Sequence, residues 1–99
     1  MSDPVQLADR HVDVFRRLRV RPPSSWSVER VAVARKATQE LADLGADAAG
    51  EPRRQVPDLH PTALADQLEV LLAEAVAAGV DPTILDRLVE GLAAALAVR

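Results

Sequence analysis

The chain has 99 residues and a net charge of −3 at pH 7, a length that fits one domain with a single core. The absence of cysteine excludes disulfide bonds, thiolate catalysis and cysteine-ligated zinc. The longest apolar runs, such as residues 92–98, fall far short of the ~20 residues that cross a bilayer. We therefore expect one domain over residues 1–99 and no membrane span.

The apolar residues are mostly small. The chain contains 18 Ala, 13 Leu and 13 Val, and its only aromatic residues are Phe15 and Trp26. Because alanine removes little surface from water, a monomer of this composition gains less from burial than a Leu/Ile/Phe core would, which favours an oligomer. Arg outnumbers Lys 11 to 1, which is typical of high-GC bacterial coding. With no basic leader after Met1, we predict a bacterial, cytoplasmic protein.

The first predicted helix covers about residues 4–20. Pro4 suits a first helical turn, and Pro22-Pro23 prevents the helix from continuing. Its apolar residues fall on one broad side at helical spacing, and His11 lies near the centre of that side. We predict a hydrogen-bonded core or interface histidine. At an interface, protonation of His11 near a pKa of ~6.5 would make assembly pH-sensitive.

The second predicted helix covers about residues 26–44. Ser24, Ser25 or Ser27 caps its start, and Gly45 is a candidate for its end, with an extension to residue 49 left open. Trp26 is most simply an anchor between the first two helices. An exposed Trp26 beside prolines would instead indicate a peptide-docking site.

Residues 50–60 form the predicted linker. Prolines at 52, 57 and 61 favour an extended connection. We expect Val56 and Leu59 to hold this linker to the core, and His60 to act as a turn or capping residue.

The last two predicted helices cover about residues 61–78 and 82–98. Gly79-Val80-Asp81-Pro82 combines a helix stop with a helix start: Gly79 takes the left-handed conformation, Asp81 caps and Pro82 opens the next helix. No segment alternates with period two, so no β-sheet is predicted. The predicted fold is all-α, with four helices as two antiparallel αα-hairpins in a four-helix-bundle-like arrangement.

No motif assigns a reaction. Every serine lies at a predicted helix start or turn, where capping explains it. The chain has no Glu-x-x-His spacing for a di-metal bundle and no glycine-rich phosphate loop. We assign no catalytic residue, metal or cofactor. A small enzyme with an intersubunit site that uses His11 is the weakest alternative.

The fourth helix is the predicted interface. Residues 92–98 are apolar nearly all round, and such a helix is either enclosed or meets a partner. We predict a non-enzymatic helical interaction module that forms a homodimer through the C-terminal hairpin. The candidate interface residues are Leu85, Leu88, Val89, Leu92 and Leu96.

Charge is divided unevenly along the chain. Residues 1–36 carry eight basic and four acidic side chains, and residues 37–99 carry four and eleven. A basic cluster in the first part could face an acidic partner, either a second protein or a nucleic acid. Its candidate members are Arg16, Arg17, Arg21, Arg30 and Lys36. A nucleic-acid- or regulator-binding accessory protein is the alternative, but the pI of about 5.3 favours a solvated face.

Overall fold

The computed structural model describes residues 14–20 and 26–96. Helical residues 14–19 form α1, followed by α2 (Val28–Ala49), a 3₁₀ turn (Pro61–Ala63), α3 (Leu64–Ala78) and α4 (Pro82–Ala95). Within the described ranges there is no β-strand, so the all-helical prediction is confirmed for them. The first ten residues of the predicted first helix, 4–13, lie outside the described residues.

Helix α2 is the central element of the described structure. Its most extensive contact is with α3, across the linker, and a smaller contact is with α4. Helices α3 and α4 share a smaller contact with each other than either shares with α2. The arrangement as two antiparallel hairpins stays a prediction.

Helix α2 continues past Leu44 to Ala49, the longer of the two ends that the sequence left open. Its N-cap is Ser27, whose Oγ accepts the N–H of Arg30 at 3.2 Å. Its C-terminal residue in the left-handed conformation is Gly50, with φ 69°. Gly45 lies inside the helix, where a Cβ would meet Cα of Ala75 at 3.7 Å. Gly45 therefore faces α3 and does not end the helix.

The junction between α3 and α4 follows the predicted pattern. Gly79 has φ 90°, and its N–H donates to the carbonyl of Val76 at 3.1 Å. Oδ1 of Asp81 accepts the N–H of Thr83 at 2.9 Å, and Pro82 begins α4. The predicted helix stop and start are confirmed.

Helix α4 turns its larger apolar side chains into the core of its own chain. Leu85, Val89 and Leu96 are fully buried and Leu92 is 4% exposed, whereas Leu88 is half-buried. These residues pack with a core that also includes Phe15, Leu18, Leu41, Leu68 and Leu72. This corrects the predicted interface. Four of its five residues are already covered by the other helices, so a second copy has only the other face of α4 to contact.

The described part of α4 ends at Ala95, three residues before the predicted end. The N–H of Leu96 donates to the carbonyl of Leu92 at 3.0 Å, which closes the last turn, and residues 97–99 lie outside the described range. None of the described helices is long and apolar enough to cross a membrane.

Candidate functional site: two grooves beside helix α2

The linker, observed as residues 51–60, is held against α2 by one glutamine side chain. Oε1 of Gln39 accepts the N–H of Val56 at 3.0 Å, and its Nε2 donates to the carbonyl of Arg54 at 2.9 Å. The same Nε2 lies 2.9 Å from Oδ1 of Asp43, which also accepts a hydrogen bond from it. An extended chain without regular structure thus gains fixed partners for its backbone polar groups.

Two further side chains hold the second half of the linker. Nη2 of Arg35 donates to the carbonyl of Leu59 at 2.9 Å, and Nε2 of Gln67 donates to the carbonyl of Pro57 at 3.2 Å. Nε of Arg35 is buried without a hydrogen bond and lies 3.6 Å from Oδ1 of Asp58. That separation allows ion pairing but exceeds hydrogen-bond length.

Val56 and Leu59 are the residues predicted to hold the linker to the core. Val56 is only half-buried and Leu59 is 41% exposed. The linker is instead held through its backbone by polar side chains of α2 and α3. The signal available in the sequence was a pair of long amide side chains, Gln39 and Gln67, on helices that flank a proline-rich segment.

A cleft of about 460 Å³, here named the linker cleft, lies between the linker, α2 and α3. Most of its lining is apolar and comes from the linker and from α3. Val70, which is 56% exposed, lies at its surface. The apolar lining includes Ala42, Val56, Pro57, Leu59, Val70 and Leu71.

Charged side chains of both signs lie at the linker cleft, and they differ in their partners. Asp66 accepts a hydrogen bond from Nε of Arg19 at 2.6 Å, and Arg19 also pairs with Glu69. The backbone carbonyl of Arg54 is bonded to Gln39. Within the described residues the guanidinium of Arg54 has no ion-pair partner within 4.0 Å. Among the described residues, Arg54 therefore gives the edge of the cleft a positive charge that no carboxylate pairs with.

A second groove, here named the trough, lies between α2 and α4. It consists of two adjoining hollows of about 350 and 410 Å³, which share Glu40 and Leu88. Its apolar lining includes Val33, Leu44, Ile84 and Leu88, and Ile84 is 45% exposed. An apolar strip between two helices is the kind of surface on which another helix packs.

The trough carries opposite charges at its two ends. Lys36 and Arg87 line the hollow that contains Val33, whereas Asp43 and Asp47 line the hollow that contains Ile84. Arg53 from the linker also reaches this acidic end. The trough thus holds three acidic and three basic side chains, once the shared Glu40 is counted.

Arg53 binds Asp47 with two hydrogen bonds. Its Nε lies 3.0 Å from Oδ1 and its Nη2 lies 2.7 Å from Oδ2. These hydrogen bonds, with the positive charge of Arg53, hold the pKa of Asp47 below its ordinary value. The same carboxylate raises the pKa of Arg53. Asp43 is a more distant partner, with Oδ2 3.9 Å from Nη1.

The described members of the predicted basic cluster lie on two helices, α1 and α2. Arg16 and Arg17 are exposed on α1, while Arg30 is half-buried and Lys36 is exposed on α2. Lys36 belongs to the trough. Arg21 lies outside the described residues. The neighbouring Arg19 and Arg35 are turned to α3 and to the linker, which leaves fewer cations for an external partner.

The remaining predicted residues are divided between the core and the turns. Trp26 is half-buried and packs against the core, which favours its predicted anchoring role. Nδ1 of His60 accepts the N–H of Thr62 at 3.3 Å, so its predicted capping role is confirmed. His11 lies outside the described residues.

Within residues 14–20 and 26–96, no group of three or more His, Asp or Glu side chains is placed to hold a metal ion. No family model, curated protein or solved structure matches the chain. The functional proposals below are therefore based on the linker cleft and the trough.

Proposed function

We propose that the chain is a non-enzymatic helical interaction module that forms a homodimer through the trough. The observation that carries this proposal is the charge pattern, basic at one end and acidic at the other. The proposed interface is the outer side of α4, where Ile84 is exposed and Leu88 is half-buried. It is not the core-facing side that the sequence pattern predicted.

A two-fold axis passing near Leu88 would bring each basic end over the acidic end of the second copy. Lys36 and Arg87 would then face Asp43 and Asp47, whose negative charge Arg53 reduces but does not cancel. A polyanion such as nucleic acid would be attracted to one end and repelled by the other. The trough therefore favours a second copy over a uniformly charged partner.

The apolar strip supplies the expected driving force. Covering the exposed part of Ile84 and the half-exposed Leu88 would contribute on the order of 1 kcal/mol per side chain. The charge pattern would fix the relative orientation of the copies more than it would raise affinity. We expect a weak to moderate dimer whose affinity falls as salt screens the charges.

Within each copy we infer one domain, in which α3 and α4 form an antiparallel hairpin and α1 pairs with α2. Support for the α3–α4 hairpin comes from the short connection between Gly79 and Pro82. A bacterial cytoplasm is the proposed setting, since a cysteine-free chain fits a reducing compartment.

Sedimentation equilibrium across micromolar to millimolar protein tests the dimer. We expect the mass to rise from 10.6 kDa toward twice that value, and the Ile84→Glu variant to stay monomeric. Val28→Glu is the matched control, because Val28 is 85% exposed and is absent from the lining of the trough. A monomeric wild-type chain at the highest concentration would contradict the proposal.

A further inference from the structure

We propose that the linker cleft binds an aliphatic carboxylate, with the hydrocarbon chain in the cleft and the carboxylate on the guanidinium of Arg54. This site lies at the α2–α3 contact and is distinct from the trough. Binding there does not require dimerisation.

The size and lining of the linker cleft fit a single small ligand. Its volume of about 460 Å³ lies within the range of small-molecule sites, which are mostly apolar with a few polar groups. Val56, Leu71 and the exposed Val70 present branched aliphatic surface. The described lining holds no aromatic ring, so an aliphatic chain finds matching contacts.

The linker backbone is a poor template for an added peptide strand. The carbonyls of Arg54, Pro57 and Leu59 and the N–H of Val56 are already bonded to side chains of α2 and α3. A peptide that adds a strand needs free backbone donors and acceptors along the edge. The ligand must therefore bind through apolar contact and through charge.

The charge at the cleft selects an anion. Asp66 is engaged by Arg19, whereas the guanidinium of Arg54 has no ion-pair partner among the described residues. Glu51 and Glu74 line the adjoining groove that Arg54 also borders, but neither carboxylate lies within ion-pair distance of it. With no carboxylate paired to it among the described residues, the Arg54 guanidinium can make a planar, two-point contact with a ligand carboxylate.

Methyl ¹H–¹³C NMR titration with decanoate below its micellar concentration tests this site. We expect saturable shifts confined to the methyl groups of Val56, Leu59, Val70 and Leu71. Decanol should bind more weakly, and decyltrimethylammonium and acetate should not saturate. Vesicles of anionic phospholipid should leave these signals unchanged, which separates a free carboxylate from a lipid surface.

Two pairs of variants assign the contacts. Arg54→Gln should weaken decanoate about fivefold, the effect of one exposed ion pair, and leave decanol unchanged. Arg53→Gln is its matched control, because the neighbouring Arg53 is turned to Asp47. Val70→Gln should weaken both decanoate and decanol, whereas the exposed Val28→Gln should alter neither.

Three results would overturn the assignment. One is equal affinity for decanoate and decanol, which would remove the role of charge. Another is an Arg54→Gln chain that binds decanoate as the wild type does. The third is a set of shifts centred on Ile84 and Leu88, which would place the ligand in the trough.

Discussion

Gln39 and Val56 lie 17 residues apart in sequence, and Oε1 of Gln39 accepts the N–H of Val56 at 3.0 Å. Nε2 of the same side chain donates to the carbonyl of Arg54. The side chain of Gln39 in α2 therefore binds one backbone N–H and one backbone carbonyl of the proline-rich linker. The linker cleft depends on this contact, because the linker forms one of its walls.

Replacing Gln39 by Ala should loosen the linker. Loss of its hydrogen bonds should lower the free energy of unfolding by about 1 to 2 kcal/mol and speed hydrogen exchange at the amide of Val56. Denaturant melts and amide exchange measure the two effects. Gln55→Ala, on the exposed neighbouring residue, should change neither, and unaltered exchange at Val56 in Gln39→Ala would refute the assigned contact.

Gly45→Ala should stabilise the chain. Glycine inside a helix costs roughly 0.5 to 1 kcal/mol relative to alanine, and a Cβ at Gly45 would meet Cα of Ala75 at 3.7 Å, an ordinary contact. Gly91→Ala, inside α4 with no atom within 4 Å, is the matched helical control and should stabilise by a similar amount.

Gly79→Ala should destabilise the chain, in contrast to Gly45→Ala and Gly91→Ala. Gly79 has φ 90°, a conformation that costs a residue with a Cβ roughly 1 kcal/mol or more. Thermal denaturation of the three glycine variants measures these changes in stability. A stabilised Gly79→Ala chain would be inconsistent with the left-handed helix end.

The two faces of α4 should respond differently to truncation. Leu85 is fully buried, so Leu85→Ala should cost about 2 to 5 kcal/mol of unfolding free energy. Ile84 is 45% exposed, and Ile84→Ala should cost less than about 1 kcal/mol in the monomer. Urea melts at low protein concentration compare the two, and similar losses would contradict the assignment of Leu85 to the core.

The ion pair between Asp47 and Arg53 predicts a pH dependence. Since the folded pKa of Asp47 lies below its ordinary value, the pair contributes stability above the unfolded pKa of about 3.9. That contribution fades as pH falls through this value toward the folded pKa. Arg53→Gln should raise the pKa of Asp47, as measured by NMR titration of its carboxyl carbon. An identical midpoint in both chains would exclude the contact.

Local signals in the sequence predicted local structure well. Gly79, Asp81 and Pro82 occupy the conformations expected of them, because helix ends depend on residues next to one another. Gly45 and Gly50 could both end a helix, but only Gly50 is closely followed by a proline, Pro52, and α2 ends at Gly50. Gly45 lies instead against Ala75 of α3, a contact 30 residues distant in the chain.

The linker cleft and the trough depend on contacts between residues far apart in the sequence, so the sequence pattern did not predict them. Periodicity identified the apolar side of α4, including Leu85 and Val89, but it does not tell whether the same chain or a partner covers that side. The hydrogen bonds of Gln39 and Arg35 to the linker join segments whose relative position follows only from packing.

Mixing two charge-reversed chains tests the proposed dimer most directly. Lys36→Glu with Arg87→Glu makes the basic end of the trough acidic, and Glu40→Lys with Asp47→Lys makes most of the acidic residues basic. Each double variant alone should sediment near 10.6 kDa, and an equimolar mixture should form a heterodimer of twice that mass. A mixture that stays monomeric while the wild type dimerises would contradict pairing through the trough.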